Sequence, residues 1–124
     1  MKIVQLKKAA NKNFEYLSEE LALKEPLVLV FGNRFMLQEK NIFKEVRKLF
    51  KDGHIVFGST SGDITSESVD DECVTITAIE FENSSFSIKT ANVLNTSVQI
   101  DIYKTGKELI EQLPHEGLKY AFVV

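Results

Sequence analysis

The sequence predicts an α/β fold with a mixed, mostly parallel sheet and flanking helices. Residues 27–31, LVLVF, form an apolar run without polar alternation, which is typical of a strand that is covered on both faces. An amphipathic helical pattern follows over residues 36–51, and residues 54–57, HIVF, have strand propensity again. Strand, helix and strand within about thirty residues indicate a βαβ unit, whose two strands we expect to be parallel and joined by a right-handed crossover.

Two further elements are predicted before this unit. Residues 3–6 favour a short first strand. Asn13 is a suitable cap for a helix, because Phe14, Leu17 and Leu21 recur at helical spacing after it. Pro26 ends this predicted helix, since the residue before a proline is pushed out of the helical region.

The pattern after the βαβ unit predicts a hairpin, a helix and a last strand. Alternating residues at 73–81 and 86–93, joined by a turn at Asn83, indicate the hairpin. Residues 95–113 carry both a strand pattern and a helical one. We favour a helix capped near Thr96 or Ser97, which tolerates Gly106 at a cost of roughly 1 kcal/mol.

Residues 118–124, LKYAFVV, favour another buried strand. The chain stops within this apolar run, which needs a neighbour on each side. We therefore expect residues 1–124 to be a single partial domain, a fragment of a longer protein.

Composition excludes several classes of function. The net charge of −3 argues against a nucleic-acid binder, which normally needs a basic face. The single cysteine, Cys73, excludes an internal disulfide and a Cys-cluster metal site, and its apolar neighbours predict a buried structural thiol. We expect no membrane partner and a cytoplasmic location, because neither a run of about 20 apolar residues nor a signal peptide is present. We also expect no cofactor.

Two polar segments follow the two strands of the βαβ unit. Ligands in such sheets lie beyond the carboxyl ends of the strands, where glycines admit a ligand to the backbone and hydroxyl and amide groups suit a carboxylate or an amide. A structural turn, in which Ser and Asp satisfy their own backbone, explains the same residues, and physical reasoning alone places it slightly ahead. The candidate ligand-binding residues are Gly32, Asn33, Gly58, Ser59, Thr60, Ser61, Gly62 and Asp63.

Other chemical motifs are weaker. Asp70, Asp71 and Glu72 are consecutive acids whose side chains diverge, so a solvated loop explains them better than a metal site. A hydrolase with Ser59 or Ser61 as the nucleophile would require a histidine nearby in the folded chain. The G-x-S-x-G elbow is absent, and we predict no enzymatic activity.

The stretch VFGSTSGDIT, followed by an acidic spacer, CVTITAIEF and a second segment ending in TANV, resembles the N-terminal FIST domain. These domains are named for F-box and intracellular signal transduction proteins. The resemblance runs from Leu27 to Val124 and includes LVLVFGN and GKELIEQL. Where the family commonly has Cys and Glu in the loop, this chain has Ser59 and Asp63. The first difference puts a thiol role at this loop in doubt, and the second keeps the charge but shortens the reach.

This resemblance implies a cytoplasmic small-ligand sensory domain that binds amino acids or related metabolites. It also implies a C-terminal FIST domain and a signalling output domain as partners in a longer protein. In that hypothesis Asp63 contacts a ligand ammonium group or fixes the loop. The alternative hypothesis is an interaction or assembly module, in which the unpaired edge of the last strand docks a partner or a second copy as a homo-oligomer.

Overall fold

The computed structural model describes residues 1–65, 68–92 and 102–124, which divide into two units, Met1–Ser84 and Ser85–Val124. Among the described residues, the first unit contains seven strands and two short helices, and the second contains one helix. In chain order the elements are β1 (Lys2–Ala9), β2 (Glu15–Tyr16), β3 (Leu27–Gly32), α1 (Arg34–Leu37), α2 (Ile42–Leu49), β4 (His54–Ser59), β5 (Asp63–Ile64), β6 (Val69–Asp70), β7 (Cys73–Glu80) and α3 (Ile102–Glu111).

Five strands of the first unit form one mixed sheet in the order β2-β1-β7-β3-β4, and β5 pairs with β6. β3 and β4 are parallel, as the βαβ pattern predicts. β7 lies between β1 and β3 and is antiparallel to both. The α/β class and the mixed sheet are therefore confirmed, but in the described part of the chain antiparallel pairs outnumber the one parallel pair, because β7 takes the central position.

The core lies between one face of this sheet and α2. Each central strand contributes alternate residues to it, as the two-residue period of a strand requires. Burying each of the larger apolar side chains of this core contributes about 1.5–3 kcal/mol. The core residues are Val4, Leu6, Val28, Val30, Met36, Ile42, Val46, Phe50, Val74, Ile76 and Ala78. Leu27, Leu29 and Phe31 face the other side of β3 and are only half-buried, so the predicted complete cover on both faces is not observed.

The amphipathic segment forms two short helices where the sequence predicts one. Residues 38–41, QEKN, separate them and are all exposed, so no burial favours continuing the helix there. Val46 packs α2 onto the sheet, and Glu45 accepts a 2.6 Å hydrogen bond from the buried Lys8 of β1. At the end of α2, Arg47 Nη1 donates to the carbonyl oxygen of Gly53 at 2.7 Å, which fixes the turn into β4.

The helix predicted after Asn13 is wrong. Glu15 and Tyr16 instead form β2, which pairs antiparallel with β1. The following residues continue along β1, since Leu17 N–H donates to the Gln5 carbonyl at 2.8 Å and Ser18 Oγ accepts from Gln5 N–H at 2.9 Å. Hydrogen bonding along the edge of β1 thus outweighs the helical spacing of the apolar residues. The first strand itself is confirmed and is longer than predicted.

The first strand of the predicted hairpin is confirmed as β7, but residues 86–92 form no regular secondary structure. β1 and β3 already occupy both edges of β7, so no position beside it remains for a returning strand. Residue 93, the last of the predicted second strand, lies outside the described residues.

In the second unit α3 confirms the predicted helix from residue 102 onward. Its predicted cap at Thr96 or Ser97 lies outside the described residues. The strand predicted at residues 118–124 is wrong, because this segment is irregular and exposed. A strand needs a neighbour for its backbone hydrogen bonds, and the described part of this unit contains no other strand. No helix in the described ranges is long and apolar enough to cross a membrane.

Candidate functional site

The two polar segments lie side by side where β3 and β4 end. The parallel register places Gly32 opposite Ser59, and Thr60 N–H donates to the Gly32 carbonyl oxygen at 3.0 Å. Gly58 and Ser59 therefore belong to β4, and Asp63 begins β5, so the loop itself consists of residues 60–62. The structure thus brings together the residues that the sequence offers as candidates, at the carboxyl edge of the parallel pair.

Gly32 and Asn33 are held in place by close packing and hydrogen bonds to β7 and α1. A Cβ atom at Gly32 would lie 2.6 Å from the Cys73 carbonyl oxygen, so only glycine fits between these strands. Asn33 N–H donates to that same oxygen at 3.1 Å. The Asn33 Oδ1 atom accepts from Phe35 N–H at 2.9 Å and caps α1, and its Nδ2 atom donates to the Asp71 carbonyl at 3.4 Å.

Asp63 lies at the centre of a small buried cluster. Its side chain is 5% exposed, and its Oδ1 atom accepts a 2.6 Å hydrogen bond from Thr60 Oγ1. Its Oδ2 atom accepts from the Cys73 thiol, with Sγ at 3.7 Å. Both carboxylate oxygens therefore have partners within the chain, as a buried charge requires. Asp63 joins the end of the loop to the start of β7.

The Cys73 thiol is a hydrogen-bond donor in this cluster. Burial raises its pKa to about 11, and the charge and hydrogen bond of Asp63 act in the same direction. The nearby Lys7 opposes this shift. A thiol with such a pKa stays protonated at neutral pH and is a poor nucleophile. This agrees with the structural role that the sequence predicts for Cys73.

Ser59, Ser61 and Gly62 are exposed on the same segment. The main-chain N–H groups of Ser61 and Gly62 donate to no acceptor among the described residues. Gly58, one residue earlier than Ser59, is half-buried within β4. The loop therefore presents two consecutive N–H donors and serine hydroxyls to solvent, next to a cluster that holds it in place.

The family model of the FIST N domain matches residues 26–124. The chain belongs to the FIST family. This family is associated with signal transduction. A comparison with curated proteins and one with solved structures gave no match. The FIST match begins at Pro26, so it contains the loop, β3, β4 and β7, while β1 and β2 precede it.

Sequence reasoning missed one cluster beside the loop of this FIST domain. Lys7 Nζ donates to Ser68 Oγ at 2.8 Å and forms an ion pair with Asp70, which holds β6 against β1. The hydrogen bond from Lys7 lowers the pKa of the Asp70 carboxyl below its usual value, and a second bond from Ser68 adds to this effect. Lys7 and Asp70 are 63 positions apart, so no local pattern could have paired them.

The described residues of the FIST domain do not form the arrangements that a serine hydrolase or a metal site would need. His54 and Ser59 stand at opposite ends of β4, roughly 16 Å apart at the usual rise per residue, so they form no catalytic pair. Within residues 1–65, 68–92 and 102–124, no group of three or more His, Cys, Asp or Glu side chains is placed to hold a metal ion. An open groove of about 410 Å³ runs along α3 and contains none of the candidate residues.

Proposed function

We propose that this FIST domain is the small-ligand sensory module of a signal transduction protein, with its ligand held by the loop after β4. The observation that supports this proposal best is the pair of exposed N–H donors on Ser61 and Gly62. They lie at the carboxyl edge of the parallel pair, where ligands bind in open α/β sheets.

The donors on this loop define the chemistry of the proposed ligand. Adjacent N–H groups and serine hydroxyls suit an acceptor with two oxygens, such as the carboxylate of an amino acid or of a related metabolite. We assign the contacts to Ser59, Ser61 and Gly62. The hypothesis that Asp63 contacts a ligand ammonium group has less support, because both of its oxygens are already bonded to Thr60 and Cys73.

The buried cluster supports binding in a second way. Thr60 and Asp63 fix the loop before any ligand arrives, and Gly32 and Asn33 fix the segment beside it. A loop that is already ordered loses less conformational entropy on binding, which favours affinity. In this proposal Gly32, Asn33, Thr60 and Asp63 therefore position the site, and Gly58 keeps the end of β4 open to the ligand.

The proposal is one of binding without catalysis. It includes a cytoplasmic location, and a C-terminal FIST domain and a signalling output domain as partners in a longer protein. Nucleic acid and membranes are not among the proposed partners, in keeping with the net charge of −3.

A thermal-shift titration against amino acids and small carboxylates tests this proposal. A ligand that binds only the folded chain raises its stability by RT ln(1 + [L]/Kd). We expect Ser61→Ala to weaken the response by two- to tenfold in apparent Kd, roughly the effect of one lost neutral hydrogen bond.

Ser84→Ala is the matched control, because Ser84 is an exposed serine that follows the opposite end of β7. It should leave the response unchanged. Absence of a shift with every compound would contradict binding at this loop, and equal responses in Ser61→Ala and the parent chain would remove the Ser61 hydroxyl from the proposed contacts.

A further inference from the structure

The two edges of the main sheet are built differently. On the β1 side, β2 pairs with Leu6 and Lys7, and the two residues after β2 bond to both the N–H and the carbonyl of Gln5, so the middle of this edge is covered. β2 itself is only two residues long and contains Glu15. A short, charged edge strand is one of the devices by which proteins prevent further strands from pairing.

The opposite edge is β4, a six-residue strand that pairs with β3 alone among the described residues. His54 N–H donates to the Pro26 carbonyl and Thr60 N–H to the Gly32 carbonyl, so the even-numbered residues of β4 bond towards β3. In a parallel pair the alternate residues direct their N–H and carbonyl groups away from the neighbour. The main-chain groups of Ile55, Phe57 and Ser59 therefore face the open edge.

β4 lacks the features that usually protect such an edge. Its sequence, HIVFGS, contains no lysine, acidic residue or proline. An edge strand of this kind is a template for pairing with another strand. Two copies of it would also meet without like charges facing each other.

We infer that β4 is a docking strand for a second copy of this chain, which pairs with it antiparallel about a two-fold axis at Phe57. An isologous dimer requires this antiparallel arrangement. In that register Phe57 lies opposite the partner's Phe57, and Ile55 lies opposite the partner's Ser59. Every outward N–H and carbonyl of Ile55, Phe57 and Ser59 then gains a partner.

Apolar side chains beside β4 favour the same occupant. Ile55 and Phe57 pack against the core from the α2 side of the sheet. The Phe43 ring on α2 lies 6.2 Å from the Phe57 ring and is 51% exposed. A second copy at this edge would bring its own Phe43 and Phe57 close to these rings and bury apolar surface in addition to the backbone pairing. The alternative hypothesis from the sequence assigns docking to the edge of the last strand. Residues 118–124 form no strand, so β4 takes its place as the docking edge.

Sedimentation velocity over a range of concentrations tests this inference. We expect the parent chain to dimerise reversibly. Ser59→Pro removes one outward N–H from each copy while keeping an edge position that tolerates proline, and should weaken dimerisation about tenfold. Ser59→Ala keeps the N–H and should dimerise like the parent chain.

Amide hydrogen exchange of the parent chain gives a second measurement that needs no variant. The amides of Ile55 and Phe57 should become more protected as the concentration rises, while those of His54 and Val56 stay protected throughout. A chain that remains monomeric at every concentration would overturn the inference. Protection of Ile55 and Phe57 that does not depend on concentration would also overturn it, since another part of the same chain would then cover β4.

Discussion

Asp63 and Ser61 belong to one polar segment, but the fold uses them in opposite ways. Asp63 is 5% exposed, and its carboxylate is bonded to Thr60 and Cys73. Ser61 is exposed, and its N–H donates to no acceptor in the described part of the chain. The segment therefore has a fastening half, Thr60 and Asp63 with their partner Cys73, and an exposed half, Ser61 and Gly62, which is open to solvent. Under the proposed function, the structural turn and the ligand-binding loop, which compete as explanations of the sequence, describe different residues of the same loop.

The largest expected effect comes from removing the centre of the fastening half. Asp63→Ala removes the acceptor of the Thr60 hydroxyl and the nearer acceptor of the Cys73 thiol, which keeps only the Asp70 carbonyl oxygen at 3.9 Å. We expect it to lower the free energy of unfolding by about 3 kcal/mol, since bonds to a charged group contribute about 1.5–3 kcal/mol each and leaving partners unpaired adds a cost. Urea unfolding followed by circular dichroism measures this change.

Ser61→Ala is the matched variant on the exposed half and should change the unfolding free energy by less than about 0.5 kcal/mol. Similar losses in the two variants would show that the loop does not divide in this way.

The two glycines of the site allow the same comparison with a smaller effect. A Cβ at Gly32 would meet backbone atoms, the Cys73 oxygen at 2.6 Å and Val74 Cα at 2.9 Å, so β3 and β7 would have to separate. We expect Gly32→Ala to cost about 2 kcal/mol, as overpacking in a core does. A Cβ at Gly62 would meet the end of a flexible side chain, Asp71 Oδ1 at 2.8 Å, which can move away.

Gly62→Ala should therefore cost less than about 1 kcal/mol, within the range of ordinary surface substitutions. The melting temperatures of both variants check this pair. A larger loss for Gly62→Ala than for Gly32→Ala would mean that the exposed half of the loop is packed as tightly as the fastened half.

The sequence predicts the neighbourhood of the site because that neighbourhood depends on local patterns. An apolar run, an amphipathic segment and a second apolar run suffice to predict the parallel pair β3–β4. Once these strands are parallel, the segments at Gly32 and Ser59 must emerge at the same edge. Whether the helical segment forms one helix or two does not affect this pairing.

The elements that the sequence predicts wrongly depend on partners far away in the chain. Lys2–Ala9 pairs with Cys73–Glu80 along its whole length, and nothing in either segment indicates the other. That pairing removes the position of the predicted hairpin strand. Pairing along the outer edge of β1 likewise makes residues 15–18 extended, although Phe14, Leu17 and Leu21 are spaced as in a helix.

The division of the loop itself could be predicted only in part. The apolar neighbours of Cys73 indicate burial, but its contact with Asp63 depends on the β5–β6 turn between them. The residue types do not show whether Asp63 faces a ligand or the protein. Its burial favours the second role.

The smallest expected effect concerns the Cys73 thiol, which donates a hydrogen bond to Asp63. The pKa of Cys73 is raised from its ordinary value of 9.0 to about 11 in the folded chain, so the neutral thiol is favoured by folding. Its contribution to stability is fully present below pH 9 and is lost as the pH rises from 9 to 11, where the unfolded chain ionises first. Between pH 8 and pH 10 we expect a loss of about 1 kcal/mol from this group.

Urea unfolding of the parent chain and of Cys73→Ala, each at pH 8 and pH 10 under reducing conditions, isolates this contribution. Tyr16, whose pKa is raised mainly by burial, is present in both proteins, so its contribution cancels in the comparison. The parent chain should lose about 1 kcal/mol more than Cys73→Ala. Equal losses would place the thiol in contact with water and would remove Cys73 from the fastening half, leaving Thr60 as the partner that holds Asp63.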